Sequence, residues 1–198
     1  MNQAMETRVA ALEKLLKDKG VLADDNVEVY RQQTSERWST SNGARLCAKA
    51  WCEPEFKRFL LSDGKAAAAS MGFAMPEHHG SLVVKENTDS LHNVICCTLC
   101  SCTAFTIIGM APAWYKDLEY RARIVREART VLAEMGLKLP DDMKIRVWDT
   151  TTDTRYMILP LRPPYTMNWS EEQLAKLITQ DSLIGVQRLE PPFSPVQD

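Results

Sequence analysis

Helical periodicity opens the chain: Val9, Leu12, Leu15 and Leu16 share one stripe, and Glu6, Arg8, Glu13 and Lys17 take the other face. The spacing predicts an amphipathic helix over 4–19, stopped by Gly20, whose stripe must lie on something. Residues 24–42 are polar and turn-forming, with Asp24, Asp25, Gln32, Gln33, Ser35, Ser39, Ser41 and Asn42. A boundary near Asn42 follows, making 1–41 an N-terminal helical arm. Helical patterns then cover 44–61, reopened at Pro54, and 65–71, between Asp63-Gly64 and Gly72. Two short runs, 81–85 and 92–95, have the β-branched character of strands. After Pro112, residues 113–135 read as one helix with Arg121, Arg123, Arg126, Glu127 and Arg129 on its polar face and Gly136 at its end. Residues 144–148 and 155–161 read as strands joined by a turn, Ser170-Glu171-Glu172-Gln173 as a capping box, and Pro191-Pro192-Phe193-Ser194-Pro195 as an extended tail. The pattern is α+β: a helical arm, then a layered α-β-β-α domain over 42–198.

With 198 residues, 45% of them hydrophobic and 25% charged, the chain has apolar material for one core plus an arm. A formal charge of -2 gives no electrostatic reason to expect nucleic acid or an anionic membrane. The N-terminus lacks the apolar stretch of a signal peptide, and no apolar run approaches the roughly 18 residues needed to span a bilayer, so a cytoplasmic protein is expected. In a reducing compartment six cysteines do not suggest a disulfide framework, yet Cys96, Cys97, Cys100 and Cys102 fall within seven residues. The second strand runs directly into them, placing the cluster in a strand-end loop.

Three thiolates spaced three and two residues apart cannot share one helix face or one strand face, whereas a tight loop converges them. Cys-x-x-Cys is half of a structural zinc site, but no second pair completes four ligands, and Cys47 and Cys52 stand five apart on a predicted helix. A zinc-binding structural module is the alternative from outside enzymology. The Cys100-Ser101-Cys102 end suggests another donor set, because peptide nitrogens between two ligating cysteines can deprotonate and bind the same ion. Two amidates and three sulfurs suit low-spin trivalent iron or cobalt and leave one position open, the mark of a catalytic metal.

The run Val94-Ile95-Cys96-Cys97-Thr98-Leu99-Cys100-Ser101-Cys102 resembles the metal-binding motif of nitrile hydratase α subunits, shared with thiocyanate hydrolase. Asn42-Gly43-Ala44-Arg45, Ala48-Lys49-Ala50-Trp51, Glu86-Asn87-Thr88, Pro112-Ala113-Trp114-Tyr115-Lys116, Tyr120-Arg121-Ala122-Arg123, Val147-Trp148-Asp149 and Leu183-Ile184-Gly185-Val186 extend the resemblance over about 42–186. It implies hydration of a nitrile to an amide, with the metal as Lewis acid. It also implies Cys97 (axial), Cys100 and Cys102 as sulfur ligands and the backbone nitrogens of Ser101 and Cys102 as the others. In the family the residues matching Cys100 and Cys102 are oxidised to sulfinic and sulfenic acid, so the Cys102 position is a candidate base or nucleophile. Arginines of a β subunit donate to those oxygens, which implies a β-subunit partner in an αβ or α2β2 assembly. A metallochaperone or activator protein is a further candidate partner, and thiocyanate hydrolysis is the rival activity.

Other residues carry two readings each. Cys96 falls on the opposite side of an extended backbone from Cys97 and reads as a packed thiol, and Cys47 and Cys52 receive no role. His78-His79 reads as a solvated pair, or, since His78 takes the place of a family glutamine near the substrate, as a pair hydrogen-bonding at the pocket. His92 reads as structural. Phe105 stands where the family often has tryptophan and bears on pocket shape. Arg155 matches a family arginine that braces the metal loop or the subunit contact. The arginine-rich helix reads as a solvated face with carboxylate partners. Thr98, second in the motif, goes with cobalt in the family, whereas Cys102-Thr103 and residues 119–132 resemble iron-type chains. The longer stretch favours one non-haem Fe(III) per chain over non-corrin Co(III).

Overall fold

In the computed structural model, which describes residues 3–23 and 38–189, the chain divides into two units, Met1–Arg37 and Trp38–Asp198. Most of the polar stretch 24–42 and the tail 191–195 lie outside the described residues. In the first unit, helix α1 (Gln3–Asp18) leaves Val9, Leu12 and Leu15 exposed.

The second unit opens with α2 (Thr40–Cys52), α3 (Pro54–Ser62) and α4 (Gly64–Ser70). Helix α2 starts at Thr40 because Ser39 caps the Ser41 amide and the Thr40 hydroxyl donates to Ile108 O at 3.0 Å. Glu53 ends α2 and Pro54 opens α3, which splits the 44–61 pattern in two. Strands β1 (Ser81–Glu86) and β2 (Leu91–Cys96) follow. Then come α5 (Phe105–Ile108), a 3-10 turn at Trp114–Lys116, α6 (Leu118–Glu134), β3 (Lys144–Asp149), β4 (Thr154–Leu159), α7 (Glu171–Leu177) and α8 (Gln180–Ile184). The long helix expected from residue 113 begins only at Leu118. Asp117 accepts from the Glu119 and Tyr120 amides at 2.7 and 3.1 Å and fixes that start.

Strands β3 and β4, though joined by a short turn, do not pair with each other. Strand β4 runs parallel to β1, with Ser81 opposite Thr154, and β3 runs parallel to β2, with Cys96 opposite Asp149. Parallel pairing needs a long crossover, which the helical segments between β2 and β3 supply. Helices α3 and α4 pack on β1, β4 meets β2, and α6 covers β2 and β3, which gives the helix, strand pair, strand pair, helix order. Leu46, Leu60, Ile95, Ile107, Ile124, Ile158 and Leu159 are fully buried in the core, each stabilising the fold by about 1.5–3 kcal/mol relative to an exposed position.

Strand β2 is held by polar bonds as well as packing. The Asn93 amide donates to Asn87 Oδ1 at 2.7 Å, Asn93 Nδ2 to Glu86 O at 2.8 Å, and Trp148 Nε1 to Asn93 Oδ1 at 2.9 Å. His92 Nε2 lies 2.7 Å from Gly185 O, a structural placement. Among the described residues no helix is long and apolar enough to cross a membrane.

Candidate metal centre

The cysteine cluster begins where β2 ends. Cys96 is fully buried and burial raises its thiol to about 12, so it stays protonated as a packing residue. Cys97 is also buried, and the chain then leaves the sheet through Thr98, Leu99 and Cys100, all exposed. Cys97 Sγ lies 3.3 Å from Cys100 Sγ, and Cys100 Sγ lies 2.8 Å from Cys102 Sγ. The three sulfurs fall within 4.8 Å of one another, and among the described residues no fourth side-chain ligand joins them. A closed structural zinc shell needs four.

The local electrostatics favour a cation. The hydrogen bond with Cys102 is the largest influence holding the Cys100 thiol below its ordinary value, and the backbone N–H groups of Cys102 and Ser101 act in the same direction. Burial first, then the bond to Cys100, pushes Cys102 up to about 11, with the Arg155 charge pulling the other way. The two crowded sulfurs thus hydrogen-bond to each other, and the Ser101 and Cys102 amides bear on the Cys100 sulfur as well. Three convergent sulfurs without a fourth side-chain ligand fit a metal ion whose remaining positions are filled by other donors.

Neighbouring elements hold this loop. The register that sets Cys96 opposite Asp149 brings the Asp149 carboxylate to Thr98, accepting from its amide at 2.9 Å and its hydroxyl at 2.5 Å. From α6, Arg121 donates through Nε to Cys97 O at 2.9 Å and through Nη2 to Thr98 O at 2.7 Å. Tyr115 OH donates to Cys102 O at 3.2 Å, and Tyr120 OH to Ile95 O at 3.0 Å. The solvated-face expectation for this helix holds for Arg123, bonded to Glu119, Glu127 and Glu134, but not for Arg121. Arg129 likewise turns to backbone, donating to Pro140 O at 2.8 Å.

Arg155, at the start of β4, is buried; its Nη1 donates to Thr151 O and Thr152 O while its Nε has no partner. The two histidines separate. His79 is 1% exposed with its ring centroid 5.1 Å from Phe105, which in turn lies 4.5 Å from Trp38, whereas His78 is exposed and touches the His79 ring. The sequence singled out His78; the buried group is its neighbour. A cavity of about 680 Å³ is lined by residues that include Asn87, Lys138, Arg162, Tyr165 and Arg188, and it lies apart from the claw cysteines Cys97, Cys100 and Cys102.

Burial, followed by the charges of Arg155, His78 and Lys65, lowers His79 to about 4. Above its ordinary value of 6.5 the ring is neutral in both folded and unfolded chains. Below it, the unfolded chain takes up the proton first, so this residue's contribution is lost as pH falls from 6.5 toward 4. The loss is expected to be on the order of 3 kcal/mol. Urea midpoints at pH 7 and pH 4.5 for the wild type and His79→Gln check it: the variant should lose distinctly less stability on acidification.

The family model described as nitrile hydratase, alpha chain, matches residues 3–187. The low-molecular weight cobalt-containing nitrile hydratase subunit alpha of Rhodococcus rhodochrous is 44% identical over 185 residues, 93% of this chain and 89% of that one. The thiocyanate hydrolase subunit gamma of Thiobacillus thioparus is 39% identical over 186 residues, 89% of this chain and 76% of that one. Among solved structures, a double histidine-to-alanine mutant of Fe-type nitrile hydratase from Comamonas testosteroni Ni1 is 61% identical, with a TM-score of 0.91 and coverage of 100% of this chain and 96% of that one.

Proposed function

Because the chain belongs to the nitrile hydratase α-chain family, we propose that it hydrates nitriles to amides in complex with a β subunit. The observation that carries this reading is the convergence of the Cys97, Cys100 and Cys102 sulfurs within 4.8 Å. With the backbone nitrogens of Ser101 and Cys102 these would hold one trivalent ion. Relatives of both iron and cobalt type support either metal, and the 61% identity to an Fe-type chain favours iron. Bound there, the ion would supply Lewis acidity toward the nitrile.

The chain's own residues supply the surroundings. Arg155 holds a buried positive charge whose field favours the anionic form of the Cys102 sulfur, and its Nε has no partner, which leaves a donor for oxygen on that sulfur once oxidised. His79 stays neutral and keeps Nδ1 free, so it can accept or pass a proton without adding charge. His78 is an exposed second imidazole beside the His79 ring, Phe105 packs an aromatic ring on His79, and the Thr98 hydroxyl is committed to Asp149.

A partner is supported by exposed apolar side chains, Leu99 in the claw loop at 87% and Leu118 at the start of α6 at 74%. An αβ or α2β2 assembly and a protein that loads the metal belong to the same reading, as does a cytoplasmic location, which the six free cysteines support. The test is to express the chain alone and with its β subunit, then measure metal content, visible spectrum and turnover of a simple nitrile and of thiocyanate. Iron or cobalt with a thiolate charge-transfer band, and amide formation only with the partner, are expected. Colourless zinc, full activity of the lone chain, or thiocyanate turnover exceeding nitrile turnover would overturn it.

A further inference from the structure

We infer that Arg121 is a positioning residue for the claw, paired with Asp149 through the Cys97–Thr98 peptide rather than by direct contact. The inference rests on the claw being a metal site. Cys97 O, 2.9 Å from Arg121 Nε, and the Thr98 amide, 2.9 Å from Asp149 Oδ1, belong to one peptide group. The cation therefore sits at the negative end of that amide and the anion at its positive end. Each bond polarises the amide and strengthens the other, and both are charge-assisted. The two side chains also reach beyond it, Arg121 Nη2 to Thr98 O at 2.7 Å and Asp149 Oδ2 to the Thr98 hydroxyl at 2.5 Å.

Three of these bonds fix the two peptides that follow Cys97 and the fourth ties down the Thr98 side chain, and together they set the direction in which Cys97 presents its sulfur. Packing does not do this work, because Thr98 is exposed and Leu99 is 87% exposed. The two anchors come from separately rigid elements. Asp149 ends β3, whose register against β2 is set, and Arg121 stands in the first turn of α6, tied to β2 by Tyr120 OH on Ile95 O. A cation and an anion bridged by a peptide lose most of their benefit when either is removed, so the two residues act as one unit.

The experiment uses the αβ complex carrying Arg121→Met, Arg121→Lys, Asp149→Asn, or Arg121→Met with Asp149→Asn. Metal loss to a chelator, the visible charge-transfer band, and amide exchange of the peptide spanning 97–102 are measured. Each of Arg121→Met and Asp149→Asn is expected to speed metal loss about tenfold or more, the range for residues that orient metal ligands, and to shift the band. The double variant should be no worse than about threefold beyond the weaker single, because a shared bridge is non-additive. Arg121→Lys, with charge but no fork, should restore part of the effect. Unchanged metal loss and exchange in Arg121→Met, or single effects that multiply in the double, would overturn the inference. If the wild-type complex holds no coloured metal while Arg121→Met still accelerates exchange over 97–102, the bridge stands and the metal reading falls.

Discussion

Replacing Cys102 with alanine is expected to remove nitrile turnover by a factor of about 10³ or more, because on the proposed reading it would withdraw a sulfur ligand and the group beside the reacting carbon together. The substitution leaves Cys97 and Cys100 3.3 Å apart, a two-sulfur site without the crowding that makes a cation favourable. Metal content after gel filtration and loss of the charge-transfer band separate ligand loss from unfolding. The control is Cys96→Ala. That thiol is fully buried one residue before the claw, and burial holds it protonated. Its removal should open a small cavity worth about 1 kcal/mol while metal and turnover remain. Equal loss of metal in the two variants would mean that the strand end as a whole, rather than the three named sulfurs, holds the ion.

The difference between those neighbouring cysteines was legible in the sequence, since alternation along a strand sends adjacent side chains to opposite sides. So were the α1 stripe and the delivery of β2 into the cluster, which depend on short-range periodicity. What holds the cluster was harder to read. Arg121 and Arg123 stand two positions apart on one helix, yet one reaches carbonyls 23 and 24 residues back while the other stays among glutamates on its own helix. Local charge patterning explains only the second, because its partners lie within the same helical surface. Asp149 was equally hidden. It becomes a claw contact through the parallel register of β3 on β2, a pairing between segments far apart in the chain. The same holds for His79 over His78: a loop has no period to tell which of two adjacent histidines turns inward, and only packing against Phe105 decides it.

Long-range packing also sets the largest stability effect expected away from the sulfurs. Gly185→Ala should lower stability by on the order of 2–5 kcal/mol, a fall in Tm of roughly 4–20 °C for a chain of this size. Two costs add. At φ +95 an alanine is strained, by about 1–2 kcal/mol. Its Cβ would also lie inside contact distance of the Asn93 carbonyl oxygen and 2.9 Å from Val94 Cα, so backbone must move, for about 1–3 kcal/mol more. Gly136→Ala separates the two. Gly136 has the same φ of +95 but nothing within 4 Å of the added carbon, so only the first cost applies. Urea unfolding of both variants in the αβ complex, and of the wild type, measures the difference. The second consequence is local to function. Gly185 presses on β2 at Asn93 and Val94, and its carbonyl holds His92, so the displaced strand carries its error into Cys97. Metal loss should therefore quicken in Gly185→Ala and not in Gly136→Ala. Matching stabilities for the two variants would show that the close approach of Gly185 to β2 has no energetic weight, and that the strand end is held by its sheet partner alone.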